Sequence, residues 1–372
     1  MSRIAFTVFI SLYTTALYYL ATTLPIGPNE AMLYYTDDGV LGMLIHLFSN
    51  SSFEFLDFRL PFLLFSSVNI YLFYKVSCIY FKEKEKSYLA TTIFALLPGI
   101  ITASVIVNIA VVVITFVLSF IILHEKKQLL WQGVVMLLLL FIHKTSFIFF
   151  ISVALFSYIK HQKKLFYLSI LFLLLSLFSL FYFNGLEIGG KPEGRFLELF
   201  GLYIALFSPL VFIYFFYALY RIWLRETKDI LWYISFTAFI FSVILSLRQQ
   251  VIMTDFSPYV IVSVVLMVLT YQKTIDVRLP QFQVAYRFGY RIVLFSLLLF
   301  SLVIIFHKSL FYLIETKSKH FAYPFYEPYW QVKELHEIGK ECYTVTHKKV
   351  QYQLKYYGID SCKELNVPKI HI

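Results

Sequence analysis

The chain has 372 residues, of which 59% are hydrophobic and 15% charged, and its mean hydropathy is +0.73. Soluble domains carry about 25% charged residues, so this composition excludes an ordinary water-soluble globule. The formal charge of +10 does not indicate nucleic acid, because Lys and Arg cluster in short links between apolar runs, where they orient a membrane protein.

In chain order, "MSR" precedes an apolar run with no evident small-residue cleavage site, which reads as an uncleaved first span over 4–23. The loop that follows, 24–59, opens with "LPIGPNEAMLYYTDDGVLGMLIHLF" and places Glu30, Asp37 and Asp38 without a neighbouring Lys or Arg. Carboxylates at a membrane surface can accept a proton from an acceptor hydroxyl or hold a divalent cation against a phosphate, and both roles stay open. Residues 41–48, "LGMLIHLF", are too few to span and suit a helix lying at the membrane surface.

Further apolar runs fall at 60–80, 87–105, 107–123, 129–143, 146–159, 165–184, 199–220, 229–247, 258–271 and 291–313. The expected fold is an all-α polytopic membrane protein of about eleven transmembrane helices, with a transmembrane domain over 1–313. With Met1 cytoplasmic, the basic links at 82–86, 124–128, 160–164, 221–228 and 272–291 share the cytoplasmic side. An odd span count then puts the first loop, the loops at 184–195 and 248–258, and the C-terminus outside, which fits a bacterial inner membrane.

The tail, 314–372, is polar. "YWQVKELHEIGK" has helical spacing, "CYTVTH" alternates as a half-buried strand does, and "VQYQLKYYG" fits either, so a small α+β extracytoplasmic domain is expected. Cys342 and Cys362 both lie in it; an outside location permits a disulfide, and two free buried thiols fit the sequence equally. Cys78, inside a span, reads as packing.

Cations on the outer face accompany the acids. Lys191 and Arg195 lie in the Gly-rich "GGKPEGR", Arg248 begins a late loop, Arg59 opens the second span, and His143 and Lys144 break the run between two spans. Charges beside apolar spans are costly and tend to mark binding paths or pairs, although Arg59 and Arg248 also suit interfacial snorkelling. Together these cations suit an anionic lipid headgroup held while a carboxylate acts beside it. No Walker loop, dinucleotide fingerprint, HExxH or CxxC occurs.

The order of features resembles the membrane-embedded GT-C glycosyltransferases, nearest the branch of protein mannosyltransferases and the aminoarabinose transferases of lipid A. The resemblance is carried by the acidic first loop and by Arg59, Leu60 and Pro61, matching an Arg-Leu-Pro at the start of the second span. Pro98, the His143-Lys144-Thr145 break and the loop "RQQVIMTDFSP" match later motifs, so it covers most of the first 270 residues. It implies inverting transfer of a sugar from a polyprenyl-phosphate carrier to a glycan, lipid or protein acceptor at the outer face. Where the family has Asp-Glu this chain has Asn29-Glu30, so Glu30 alone carries over as base. Asp37 and Asp38 stand where the family often has a Lys-Pro-Pro-like segment. Lys144, Lys191, Arg195, Arg248 and Arg59 would offset the phosphate charge, and a divalent cation is compatible with the site. Three alternatives are an O-antigen-type polymerase or ligase, a lipid-linked sugar transporter or flippase, and a non-catalytic membrane scaffold. The first usually carries a long outer loop between late spans, and the second needs ionisable residues deep in several spans.

Overall fold

The computed structural model describes residues 2–37, 39–48, 55–182 and 194–362. They are helical throughout, with no strand among them and only an isolated parallel bridge between Cys342 and Asp360. The chain divides into two compact units. The first comprises 1–15, 64–104 and 108–304; the second comprises 16–63, 105–107 and 305–372.

Among the described residues five helices are long and apolar enough to cross a membrane: Arg3–Thr23, Leu60–Tyr80, Lys163–Tyr182, Met253–Val277 and Pro280–Ile305. The total is seven if each of two bent pairs counts as one span, so the expectation of about eleven is overturned. The physical reason lies in breaks and lengths that hydropathy does not register. The run at 87–105 folds as Lys84–Leu96 and Pro98–Val105, bent by 62°. The run at 199–220 folds as Phe196–Phe207 and Pro209–Arg225, bent by 104°. In each pair the second helix begins on a proline, which lacks the N–H that continuation would use and fits the first helical turn. Ile109–Glu125, Leu129–Ile142, Lys144–Ile159 and Ile230–Ser246 are apolar but have only 10–17 residues. At 1.5 Å per residue the longest of them rises about 26 Å, short of a core about 30 Å thick.

The first unit needs lipid around it. Helix Pro280–Ile305 buries only Tyr290, Leu297 and Ser301 of its 26 residues, and leaves Phe282, Phe288, Phe295 and Leu298 exposed. Water would oppose that surface; hydrocarbon accepts it. Helix Met253–Val277 has the opposite character, with 78% of its apolar window buried, and forms the centre of this unit. Some polar side chains inside the unit bond to one another or to backbone carbonyls. Asn69 donates to the Val111 carbonyl at 2.8 Å and accepts from Thr115 at 2.7 Å, while Tyr203 meets Ser242 at 2.7 Å. Asn108 and Asp229 cap their helices by accepting from the amides of Ala110 and Trp232.

The second unit centres on Ile26, Ala31, Ile45, Phe58, Phe62 and Val107, with Tyr34, Tyr352, Tyr356 and Tyr357 packed against them. Its helices include Pro28–Thr36, Val40–His46, His307–Leu313, Tyr323–Glu337 and Lys348–Tyr356. The short apolar helix expected at 41–48 is present as Val40–His46, and its Gly42 and Ile45 are buried. The α+β tail is not: "VQYQLKYYG" is the helix Lys348–Tyr356, and "CYTVTH" forms no strand beyond the bridge at Cys342. Strand alternation needs a partner strand, and helices are what this segment meets. Cys342 and Cys362 are joined by a disulfide, while Cys78 is free and exposed.

Candidate functional site

In the second unit, the first loop begins as a turn in which Gly27 caps helix Pro28–Thr36 and Pro28 occupies its opening position. Glu30 sits three residues after the cap and accepts the Gly27 amide at 2.8 Å through Oε2. A Cβ on Gly27 would lie 2.6 Å from the Phe325 ring and 3.2 Å from Glu30 Oε2, so only glycine lets the turn close this tightly.

Arg59 meets Glu30 side-on. Its Nε donates to Glu30 Oε1 at 3.1 Å and its Nη2 to Oε2 at 2.6 Å. Nη1 also donates to the carbonyls of Ala21 at 3.1 Å and Leu24 at 2.5 Å, and Nη2 to that of Pro25 at 3.0 Å. All five guanidinium donors are therefore used, three of them on carbonyls at the end of helix Arg3–Thr23, where a cation is favoured. The fourth donor to Glu30 is the Val107 amide, at 2.9 Å to Oε1. Glu30 is 1% exposed and Arg59 0%. A carboxylate accepts about four hydrogen bonds, so Glu30 is saturated and out of a substrate's reach. The geometry is that of a structural clamp.

The other first-loop acids divide. Asp37 accepts the amides of Gly39 at 3.0 Å and Gly42 at 2.9 Å, which seats the start of helix Val40–His46. Asp38 lies outside the described residues. The turn before Glu30 is held from the far end of the chain. Tyr357 Oη accepts the Ile26 amide at 3.1 Å, Gln353 donates to the Ile26 carbonyl at 2.7 Å, and Lys349 donates to Asn29 at 2.9 Å. Sequence reasoning missed these three residues. Their signal was the one-face spacing of Lys349, Gln353 and Tyr357 in a helix, which an ambiguous helix-or-strand reading did not use.

The first unit holds a different constellation. Helix Leu129–Ile142 stops at His143, whose extended backbone ends it, and a 3-10 turn over Lys144–Ser146 leads into Phe147–Ile159. His143 is 4% exposed and its Nδ1 lies 2.8 Å from the Tyr259 hydroxyl. Its Nε2 faces Asp255 Oδ1 at 3.6 Å, and the Thr145 hydroxyl donates to the Asp255 carbonyl at 3.3 Å. The Thr145 hydroxyl lies 3.1 Å from Nε2, so Tyr259 and Thr145 hold the ring by hydrogen bonds and the Asp255 carboxylate stands just beyond hydrogen-bond distance of it. The Asp255 side chain is 30% exposed, so a buried histidine stands behind a carboxylate that reaches open space. Asp255 and Tyr259 lie four residues apart in helix Met253–Val260, within and just beyond "RQQVIMTDFSP", yet the sequence singled out only Arg248 there.

The remaining predicted cations fall as follows. Lys144 is exposed beside His143, and Arg248 is exposed with no ion pair among the described residues. Arg195 is paired with Glu198 at 3.8 Å, and Gln250 donates to the same Glu198 at 2.7 Å, which ties the 195–198 segment to the late loop. Lys191 lies outside the described residues. Thus His143, Thr145, Asp255 and Tyr259 are brought together in one unit, and Glu30 and Arg59 in the other. Among the described residues no three His, Cys, Asp or Glu side chains gather as metal ligands. The chain matches no family model, and no curated protein matches it.

Proposed function

We infer that this chain is an integral-membrane glycan transferase that draws its sugar from a polyprenyl-phosphate carrier and works at the extracytoplasmic face of a bacterial inner membrane. The observation that carries the reading is the His143–Asp255 pair, set beside the exposed Lys144 at a break between two apolar helices. An ionisable pair among apolar helices is expensive to keep and marks chemistry or transport. Asp255 takes the proton of the acceptor hydroxyl as that oxygen attacks the anomeric carbon, with the buried His143 ring 3.6 Å behind the carboxylate. The bond from that carbon to the phosphate oxygen breaks on the opposite face, which inverts the centre. Polyprenyl phosphate leaves carrying the electron pair, and Lys144 and Arg248 offset its charge.

A saturated Glu30 moves the base away from the first loop, where the GT-C resemblance had put it. That observation favours a second reading, an O-antigen-type polymerase or ligase, whose chemistry also uses a polyprenyl-linked donor and outward-facing arginines. One experiment serves both. Purified protein in proteoliposomes is offered radiolabelled polyprenyl-phosphate monosaccharide or a polyprenyl-linked oligosaccharide, and the product is chased into acceptor. Asp255→Asn and His143→Ala are expected to reduce transfer by about 10²-fold or more while Glu30→Gln acts on folding. Full transfer by Asp255→Asn would remove the assignment, and turnover of the oligosaccharide donor alone would select the polymerase or ligase.

A further inference from the structure

Two basic links carry the same unusual turn. Helix Ile109–Glu125 ends with the Gln128 amide bonded to the Leu123 carbonyl and the Lys127 amide to that of His124. Helix Phe147–Ile159 ends with Gln162 bonded to Ser157 and His161 to Tyr158. Both are Schellman turns, and their left-handed position, normally glycine, is Lys127 in one and His161 in the other, each at φ 54°. A side chain there is strained, and glycine would relieve it, so the turn itself does not explain why a Lys and a His are kept.

Both residues line one cavity of about 600 Å³. Lys127, His161, Lys163 and Lys164 line it together with His124, and no ion pair holds Lys127, Lys163 or Lys164 among the described residues. Helices Leu129–Ile142 and Lys163–Tyr182 both start at this cavity; the Leu129 and Lys163 amides already donate to the Lys127 and His161 carbonyls, so the first-turn amides that follow them are the ones with no partner within the helix. Lysines plus two helix starts make a site for an anion. Glu125, Gln132 and Gln162 complete the polar lining and supply acceptors for hydroxyl groups. Beside the cavity Leu130, Trp131, Tyr158 and Tyr167 are exposed, a surface suited to acyl chains and the headgroup boundary.

We propose that the cavity between the 124–129 and 161–165 corners binds a hydroxyl-bearing phosphate ester of the phosphoglycerol kind, the phosphate on Lys127, Lys163 and Lys164 and the hydroxyls on Gln132, Gln162 and Glu125. The chemistry is shared by an anionic lipid headgroup and a soluble glycerol phosphate; the flanking apolar surface favours the lipid. The site lies wholly in the first unit and does not depend on the transferase reading.

The test uses the full-length protein in neutral detergent, with native mass spectrometry and thermal unfolding. Phosphatidylglycerol is expected to bind and stabilise, and phosphatidylcholine is not. Lys127→Gln/Lys163→Gln/Lys164→Gln should weaken phosphatidylglycerol binding about tenfold or more, whereas Lys82→Gln/Lys84→Gln/Lys86→Gln, which removes equal charge from another link, should not. Wild-type binding by the first triple variant, or equal loss in the second, overturns the site. Lys127→Gly separates folding from binding: it should melt higher without lipid and gain less from phosphatidylglycerol. A gain equal to that of the wild type overturns the role given to Lys127. Displacement of phosphatidylglycerol by millimolar sn-glycerol 3-phosphate assigns the site to a soluble ester, and failure to displace assigns it to the lipid.

Discussion

Glu30→Gln separates a clamp from a catalytic base. Glutamine keeps the shape of glutamate but replaces one oxygen with an amide NH2. If that group takes the Oε1 position, it faces Arg59 Nε–H and the Val107 amide. If it takes Oε2, it faces Arg59 Nη2–H and the Gly27 amide. Either way two buried donors lose their acceptor, at about 1–3 kcal/mol each, and a fully buried guanidinium loses its counter-charge. Removing one partner of a buried pair costs about 3–5 kcal/mol, and that is the expected loss here. Set against a total stability of about 5–15 kcal/mol, it is a large share. The assay is unfolding of purified protein in mixed micelles, followed by tryptophan fluorescence, beside transfer measured per folded molecule. Lower stability with near-normal transfer in the folded fraction is expected. Wild-type stability with abolished transfer would refute the reasoning and return Glu30 to the chemistry.

Three further outcomes are expected. Ser208 is buried at the 104° bend between Phe196–Phe207 and Pro209–Arg225, with φ 77° and ψ 153°, a region open essentially to glycine alone. Ser208→Gly should therefore stabilise by about 1 kcal/mol in the same unfolding assay, and destabilisation would show that the hydroxyl matters more than the backbone. Cys342 and Cys362 close a loop of sequence separation 20, so Cys342→Ser/Cys362→Ser should cost about 3 kcal/mol, read as earlier proteolysis of the tail region. His320 accepts the Ala322 amide on Nδ1 and donates Nε2–H to the His307 carbonyl, which fixes the neutral ring, and burial pushes its pKa down. Its contribution is fully present above the unfolded value near 6.5 and is lost as pH falls below that toward the folded value. A thermal-stability profile should show this acid limb, and His320→Gln should flatten it.

Much of the helix layout was legible because apolar length is a direct consequence of bilayer thickness. The spans expected at 4–23 and 60–80 appear as Arg3–Thr23 and Leu60–Tyr80. The count was not legible, because a proline or a positive-φ serine inside an apolar run bends a helix without lowering its hydropathy. The candidate site was half legible. His143 stood out as a polar break, but its partners Asp255 and Tyr259 come from more than 100 residues downstream, and one sequence carries no sign of that pairing. Glu30 and Arg59 stood out by charge and were read as chemistry. Only the four donors converging on one carboxylate show that their work is structural.

The docking of Tyr357 and Gln353 on Ile26 has a consequence for biosynthesis. The amide and the carbonyl of Ile26 find their partners 331 and 327 residues later in the chain. While the ribosome is still translating, the turn after the first span has nothing to satisfy those two groups, and it stays open. The turn after helix Arg3–Thr23 is thus completed only by residues synthesised more than 300 positions later. A chain halted before residue 353 would lack both partners that the Ile26 amide and carbonyl have in the folded protein.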